Sequence, residues 1–237
     1  MAGSATVDGK RFVVGNWKCS KTLDQAQSWL TSFARAYQPT AQLQVVVAPP
    51  LLWLVPLARQ LQDLSLQGVS LAAQDVSPFP RGSYTGAIAA DMLKGFADYT
   101  IIGHAERRRY FHETSQDAAN KVSEAVDAGV RPIICVDTTS AMSQLVPLAD
   151  LDCEHLIIAY CPVAPMTYRE PEKTETVEEA VRFIGQIHPA RPIIYGGAIT
   201  PDNAGDYAAI PGLAGLSVGA ASLDPTAFAA ICRVVAG

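Results

Sequence analysis

Three residues that can do chemistry, Lys18, His104 and Cys161, each stand shortly after a short apolar run. A lysine ammonium can neutralise a developing oxyanion or attract a phosphate dianion, and an imidazole can act as a hydrogen-bond donor or a base. A cysteine can act as a base or a nucleophile once it is a thiolate. Taken singly, a strand-end lysine more often extends into solvent, and a lone histidine is more often structural. Their chemistry therefore depends on whether the fold brings them together.

Short β-branched runs alternate with helical segments about eight times along the chain. The runs lack polar alternation, which is typical of strands covered on both faces, as in a parallel sheet. Eight such units predict the α/β class, with one (β/α)8 TIM-barrel domain over residues 1–237. The carboxyl ends of such strands carry the active site. The runs are Phe12-Val13-Val14, Val45-Val46-Val47, 69–73, Thr100-Ile101-Ile102, 133–136, 156–159, Ile193-Ile194-Tyr195 and Leu216-Ser217-Val218.

Several helix boundaries can also be predicted. The segments Thr22-Leu23-Asp24-Gln25 and Thr176-Val177-Glu178-Glu179 fit the capping box. In Asp224-Pro225, a capping side chain precedes a proline at the first helical position. The stretch from Thr138 to Asp150 contains Pro147 and no strong apolar stripe, which predicts a short or irregular fifth helix.

The composition limits the class of ligand and the compartment. With 18 basic and 23 acidic residues, the net charge of -5 offers no footprint for nucleic acid or an anionic membrane, so we expect a small-molecule ligand. The five cysteines are odd in number and scattered, which argues against a disulfide framework or a structural zinc site. No cofactor or metal is predicted. Residues 1–10 lack an apolar signal core, and no apolar run approaches about 18 residues, so we expect a cytoplasmic protein.

Six motifs in this order resemble the triosephosphate isomerase family over nearly the whole chain. The motifs are Asn16-Trp17-Lys18, Ala48-Pro49-Pro50, the stretch from Gln74 to Gly86, Gly103-His104-Ala105-Glu106-Arg107-Arg108, Tyr195-Gly196-Gly197 and Val218-Gly219-Ala220-Ala221-Ser222-Leu223. The resemblance implies a TIM barrel and an isomerase that works on a small phosphorylated carbonyl compound through an enediol-type intermediate.

The resemblance also implies roles for individual residues. Lys18 and a neutral His104 would stabilise the oxyanion, as such residues do in this family. Asn16 would orient the carbonyl, and Glu106 would pair with Lys18. We expect Arg107 and Arg108 to be structural or interface residues. The phosphate would be gripped by backbone amides near Gly196, Gly197, Ala198, Gly219 and Ala220. A homodimer is expected through the Ser77–Thr85 loop, which keeps the length of the family's interdigitating loop.

The chain departs from the family where the base and the phosphate are handled. Cys161 stands where the family has the glutamate that abstracts a proton. Ala198 replaces a serine and Ala220 replaces a glycine. The family's glycine-containing lid is rewritten between Pro165 and Lys173. These changes indicate that two parts of the site are lost or replaced. One is the catalytic base, and the other is the part that closes over the phosphate.

Three interpretations of Cys161 remain open at the level of sequence. It is an activated base or nucleophile, it is inert filler in a changed site, or a lid carboxylate, Glu170 or Glu172, has replaced the base. The pKa of an ordinary cysteine thiol is about 8.5, so the thiol is mostly protonated at neutral pH. The favoured hypothesis is an aldose–ketose type isomerase with Cys161 in place of the base and weak or absent triosephosphate isomerase activity. The alternative is a non-catalytic protein that binds a small anion or a protein partner.

Overall fold

The computed structural model describes residues 9–149, 151, 153–163, 170–189 and 191–237. Eight parallel strands in this part of the chain close into a barrel. Each strand pairs with the next one in sequence, and β8 pairs with β1. The predicted (β/α)8 TIM barrel is confirmed. The strands are β1 Arg11–Asn16, β2 Leu43–Ala48, β3 Val69–Ala73, β4 Tyr99–Ile102, β5 Arg131–Val136, β6 Ile157–Tyr160, β7 Ile193–Tyr195 and β8 Leu213–Val218.

Helices connect the strands on the outside of the barrel. Their buried residues follow the helical period, as Ala26, Trp29, Leu30 and Phe33 do on α1. The helices are α1 Leu23–Ala36, α2 Leu54–Asp63, α3 Ala105–Tyr110, α4 Ser115–Asp127, α5 Ala141–Leu145, α6 Thr174–Ile187, α7 Ala204–Ala208 and α8 Pro225–Ala236. Short 3-10 turns lie at Leu51–Trp53, Ala90–Leu93, Val146–Leu148 and Ala220–Leu223. Among the described helices, none is long and apolar enough to cross a membrane.

Two of the three predicted helix caps are present in the structure. The capping box at Thr22 is confirmed, because its hydroxyl accepts from the Gln25 amide and the Gln25 side chain accepts from the Thr22 amide. The Asp224 cap is confirmed as well, with Oδ1 accepting from the Ala227 amide at 2.7 Å. The box at Thr176 is wrong, since α6 already begins at Thr174. The buried face of α6, which starts at Val177, fixes the helix on the barrel, and the helix extends one turn beyond that face.

The fifth helix is short, as the sequence predicts. Helix α5 has five residues and continues into the 3-10 turn at Val146–Leu148, which contains Pro147. Proline cannot donate to the helical hydrogen-bond ladder, so a regular helix is not extended through this segment. The carboxyl ends of β5 and β6 lie side by side because the two strands pair in parallel.

The apolar core has two layers separated by the sheet. Alternate strand residues point to opposite faces of the sheet. The barrel interior holds a cluster that includes Phe12, Ile101, Ile133, Ala159 and Ile194. The second layer lies between the strands and the helices and contains the largest aromatic side chains, among them Trp17, Trp29, Phe33, Tyr160 and Phe228. Residues next to each other at a strand end therefore enter different environments.

Candidate active site at the carboxyl end of the barrel

Lys18 lies two residues beyond the end of β1, in a backbone conformation that its neighbours hold in place. Its φ of 53° is in the left-handed region, which costs free energy for a residue with a Cβ atom. The Asn16 Oδ1 atom accepts from the Lys18 amide at 2.9 Å, and Gln74 Nε2 donates to the Lys18 carbonyl at 2.9 Å. These two bonds fix the direction in which the ammonium leaves the barrel wall.

The Lys18 ammonium pairs with a carboxylate that comes from the opposite side of the barrel. Its Nζ atom lies 2.6 Å from Glu106 Oε1, and both side chains are a little more than one third exposed. The predicted pairing of these residues is thus present in the fold. An exposed pair of this kind adds little stability, so its main effect is to position the ammonium at the mouth.

His104 follows β4 and caps the start of α3. Its Nδ1 atom accepts from the Glu106 amide at 3.2 Å, which requires Nδ1 to be unprotonated and leaves the proton on Nε2. Burial lowers the pKa of His104 to about 4, and the charges of Lys18 and Arg108 act in the same direction against the opposing effect of Glu106. Glu106 Oε2 lies 3.6 Å from Nδ1, but no ion pair forms with a neutral ring. At neutral pH, His104 is an uncharged donor.

Cys161 is the first residue after β6, and its side chain enters the barrel interior. The residue is 4% exposed and belongs to the interior cluster. Its amide donates to the Val136 carbonyl at 2.7 Å, which extends the pairing of β5 with β6 by one residue. A Cβ atom on Gly196 would lie only 2.9 Å from Cys161 Sγ. The glycine on β7's loop therefore provides the space that the sulfur fills.

Cys135 on β5 is the neighbour of Cys161 inside the barrel. Both belong to the interior cluster, on adjacent strands. The neighbouring Cys161 thiol is the first cause that raises the pKa of Cys135, followed by complete burial, so Cys135 stays protonated. The sequence could not single out Cys135, since nothing in the chain order reveals this contact.

Glu172 lies on the outer side of β6, away from the sulfur of Cys161. Its Oε2 atom accepts from the Tyr160 hydroxyl at 2.8 Å, and Tyr160 packs in the outer layer. The Glu172 amide donates to the Tyr195 hydroxyl at 3.2 Å, while the Tyr207 hydroxyl donates to the Glu172 carbonyl. This arrangement argues against Glu172 as a base within the barrel.

Within the rewritten lid segment, the structure describes the residues from Glu170 onward. Glu170 is exposed, as expected of a solvated loop charge. Residues 164–169, which include most of the rewritten segment from Pro165, lie outside the described residues.

The candidate phosphate loops follow β7 and β8, which are neighbours in the barrel. Gly196, Gly197 and Ala198 follow β7, and Gly219 precedes the 3-10 turn that begins at Ala220. Gly197 is tightly enclosed, because a Cβ atom there would lie 2.2 Å from the Tyr195 hydroxyl. Ala198 has a φ of 53°, where a methyl group is strained. The structure thus brings the five predicted residues to one side of the mouth.

Comparison with known sequences identifies the origin of this arrangement. The sequence profile described as triosephosphate isomerase matches residues 11–235. The chain belongs to the triosephosphate isomerase family. It is 36% identical to a triosephosphate isomerase of Stenotrophomonas maltophilia strain K279a, with 96% of this chain and 98% of the relative covered. Relatives of the same name from Xanthomonas euvesicatoria pv. vesicatoria and Polynucleobacter asymbioticus are 34% and 32% identical, with 96% and 94% of this chain and 98% of each relative covered.

Two further residues of this family member support the mouth and were not predicted as site residues. Gln74 bridges the Lys18 and Ala48 carbonyls, each at 2.9 Å. Arg108 donates to the carbonyls of Gly103 and Cys135 and pairs with Asp137 Oδ2 at 2.5 Å. The sequence does contain a signal for Gln74, because this residue stands in one of the motifs that resemble the family. The expected structural role of Arg108 is visible in these bonds, which tie the ends of β4 and β5 together.

The charged atoms of the site do not form a metal centre. Within the described ranges, no three His, Cys, Asp or Glu residues are close enough together to hold a metal ion. The groups that the fold does bring to the mouth are an ammonium, a neutral imidazole and a thiol. The first two can polarise a carbonyl group.

Proposed function

We propose that this family member is an isomerase of the aldose–ketose type that binds a small phosphorylated carbonyl compound and has weak or no ordinary triosephosphate isomerase activity. The observation that carries the proposal is the Lys18–Glu106 ion pair beside a neutral His104 at the carboxyl end of the barrel. The names of the relatives support the class of reaction. The substrate class and the residue roles belong to the proposal.

The proposed chemistry uses the two donors on the carbonyl oxygen. Lys18 Nζ and His104 Nε2–H point toward the oxygen as negative charge develops on it in an enediolate. Removing one such donor typically costs about 100- to 1,000-fold in rate. Asn16 and Glu106 hold the ammonium in place through the contacts at the Lys18 amide and Nζ. His104 is uncharged, and because its Nδ1 atom accepts from the Glu106 amide, the Nε2–H group is the donor that it offers to the oxyanion.

The proton transfer step is the weak part of the proposed reaction. A carboxylate performs it in the family, and a positioned base contributes typically about 100- to 10,000-fold in rate. Here the corresponding side chain is the thiol of Cys161, which lies beside Cys135 in the interior cluster. Only the thiolate form can accept the proton. The phosphate loops with Ala198 and Ala220 in addition favour weaker binding of the phosphate.

A second candidate function is a non-catalytic protein that binds a small anionic ligand or a protein partner. The observation that favours it is the burial of Cys161, which fills the space over Gly196 inside the barrel. The same oxyanion site would then bind a ligand without turning it over. The two candidates differ in one measurable respect, the presence of a slow interconversion that depends on Lys18.

The quaternary structure is part of the same proposal. Phe79 and Tyr84 are 44% and 43% exposed and stack on each other with ring centroids 4.6 Å apart. An exposed aromatic pair on a protruding loop favours burial in an interface. The proposed occupant is a second copy of this chain, which agrees with the family's interdigitating loop. The expected cytoplasmic location and the expected lack of nucleic-acid partners rest on composition and stay predictions.

The proposed function is tested by the interconversion of glyceraldehyde 3-phosphate and dihydroxyacetone phosphate. The parent protein should show a slow turnover that falls at least about 100-fold in Lys18→Ala. Lys94→Ala changes an exposed lysine outside the site and should match the parent. Binding of the triose phosphates with no turnover above that of Lys18→Ala supports the second candidate. If the parent neither binds nor converts the triose phosphates or other small phosphorylated carbonyl compounds, the isomerase proposal and the ligand-binding form of the second candidate are both contradicted.

A further inference from the structure

The thiol of Cys161 is chemically better suited to attack a carbonyl than to remove a proton from carbon. Sulfur is intrinsically very nucleophilic, and even a small thiolate fraction reacts well. A carbonyl whose oxygen contacts an ammonium and an imidazole N–H is at the same time a stronger electrophile. A mouth that contains both the donors and the sulfur can therefore support an addition reaction.

The positions of the three groups are compatible with such an addition. Lys18, His104 and Cys161 follow β1, β4 and β6, so all three stand at the same end of the closed barrel. The side chain of Cys161 points inward, with Gly196 on one side and Cys135 on the other. The glycine keeps the space beside the sulfur free of a Cβ atom.

Cys135 lies beside Cys161 on the neighbouring strand, and both belong to the interior cluster. The neighbouring Cys161 thiol and complete burial raise the pKa of Cys135, so Cys135 itself stays protonated. Of the two thiols, Cys161 is the one that follows its strand, at the end of the barrel where Lys18 and His104 stand.

We infer that Cys161 adds reversibly to the carbonyl carbon of a bound phosphorylated aldehyde and forms a thiohemiacetal. The S–C bond forms as the C=O π bond breaks, and the thiol proton ends on the former carbonyl oxygen. No oxidant, reductant or leaving group is needed. The inference rests on the proposed function for the class of ligand, a small phosphorylated carbonyl compound. It assigns to Cys161 the covalent capture of the aldehyde isomer.

The test uses the full-length protein with glyceraldehyde 3-phosphate labelled with carbon-13 at the aldehyde carbon. The carbon signal should move to that of a carbon bonded to one sulfur and one oxygen, which differs from the aldehyde and from its hydrate. The adduct should persist in Cys19→Ser, which removes the exposed thiol next to Lys18. It should be lost in Cys161→Ser and in Cys161→Ala, with folding of both variants checked by circular dichroism.

The phosphorus-31 signal of the same ligand separates the inference from the proposed function. A phosphorus shift that reports binding, with no carbon–sulfur signal in the parent, overturns the inference and leaves the proposed function standing. No phosphorus shift at any ligand concentration overturns both. An adduct that survives in Cys161→Ala and disappears in Cys19→Ser also overturns the inference, because the reacting sulfur is then the exposed one.

Discussion

At the scale of single residues, the side of the mouth that holds Lys18 and His104 keeps the residues of the family, while the position of Cys161 departs from them. Lys18, Glu106 and His104 make the contacts that the sequence predicts, with Lys18 Nζ 2.6 Å from Glu106 Oε1. The sequence could indicate these partners because each stands in a motif of the triosephosphate isomerase family. The thiol pair of Cys135 and Cys161 could not be predicted, since the contact depends on the direction of two side chains on adjacent strands.

His104 makes stability dependent on pH in a defined direction. Its pKa is lowered from 6.5 in an exposed histidine to about 4 in the fold. As the pH falls from 6.5 toward 4, the unfolded chain binds a proton that the folded protein does not, so folding stability is lost. We expect His104→Gln to lose less of its free energy of unfolding between pH 7 and pH 5 than the parent.

Urea unfolding at the two pH values measures this difference. The control is His155→Gln, which changes an exposed histidine before β6 and should keep the pH dependence of the parent. The same slope in the parent and in His104→Gln would show that burial of the imidazole is not linked to folding.

Ala198 carries backbone strain that a glycine would relieve. Its φ of 53° lies in the left-handed region, where a Cβ atom costs roughly 1–2 kcal/mol. Ala198→Gly should therefore raise the free energy of unfolding by about 0.5–1 kcal/mol, after the greater entropy of the unfolded glycine is subtracted. Chemical denaturation is the measurement.

A matched substitution shows whether this gain comes from the conformation. Ala128 is the C-cap residue that follows helix α4, with a φ of −78° that is relaxed for alanine, so Ala128→Gly should lower the stability. A loss of stability in both variants would mean that Ala198 is not strained.

At the scale of elements, the loop after β7 and the end of β6 fit together through one glycine. Gly196→Ala would place a Cβ atom 2.9 Å from Cys161 Sγ and 3.1 Å from the Cβ of Ser217. Overpacking of this kind costs about 1–3 kcal/mol. The second substitution Cys161→Ala removes the sulfur and should recover part of that loss, which a double-mutant cycle in urea would measure as a favourable coupling.

The neighbouring phosphate loop supplies the control for this packing. Gly219 has open space around the position of a Cβ atom, with a φ of −88° and a ψ of −105°. Gly219→Ala should therefore show no coupling to Cys161→Ala, whatever this backbone conformation costs an alanine. Additive effects of Gly196→Ala and Cys161→Ala would contradict the close approach of sulfur to β7.

The bounds of a strand or helix could be predicted from the sequence where burial of its residues specifies them. Strands β3 and β7 coincide with the apolar runs of the sequence, because those runs lie between two apolar layers. The start of α6 was misplaced at Thr176 because the capping motif alone does not fix a helix start. The buried face from Val177 onward packs on the barrel, and the helix continues outward to Thr174.

At the scale of the whole molecule, the eightfold repeat made the barrel predictable, while the association of barrels remains to be measured. We expect the parent to be a dimer and Phe79→Asp to shift it toward the monomer, because a charge would be buried in the proposed interface. Sedimentation or light scattering measures the mass. Phe183→Asp changes another exposed phenylalanine, on α6, and should leave the dimer intact. A monomeric parent, or equal behaviour of the two variants, would contradict the proposed interface.

The most direct test of the central claim is the rate of triose phosphate interconversion in Cys161→Glu compared with the parent. If the oxyanion side is functional and only the base is missing, a carboxylate at this position should raise the rate by about 100- to 10,000-fold. The gain should vanish when Lys18→Ala is added. A Cys161→Glu protein that folds, binds the triose phosphates and is no faster than the parent would contradict the claim that Lys18 and His104 form a working site.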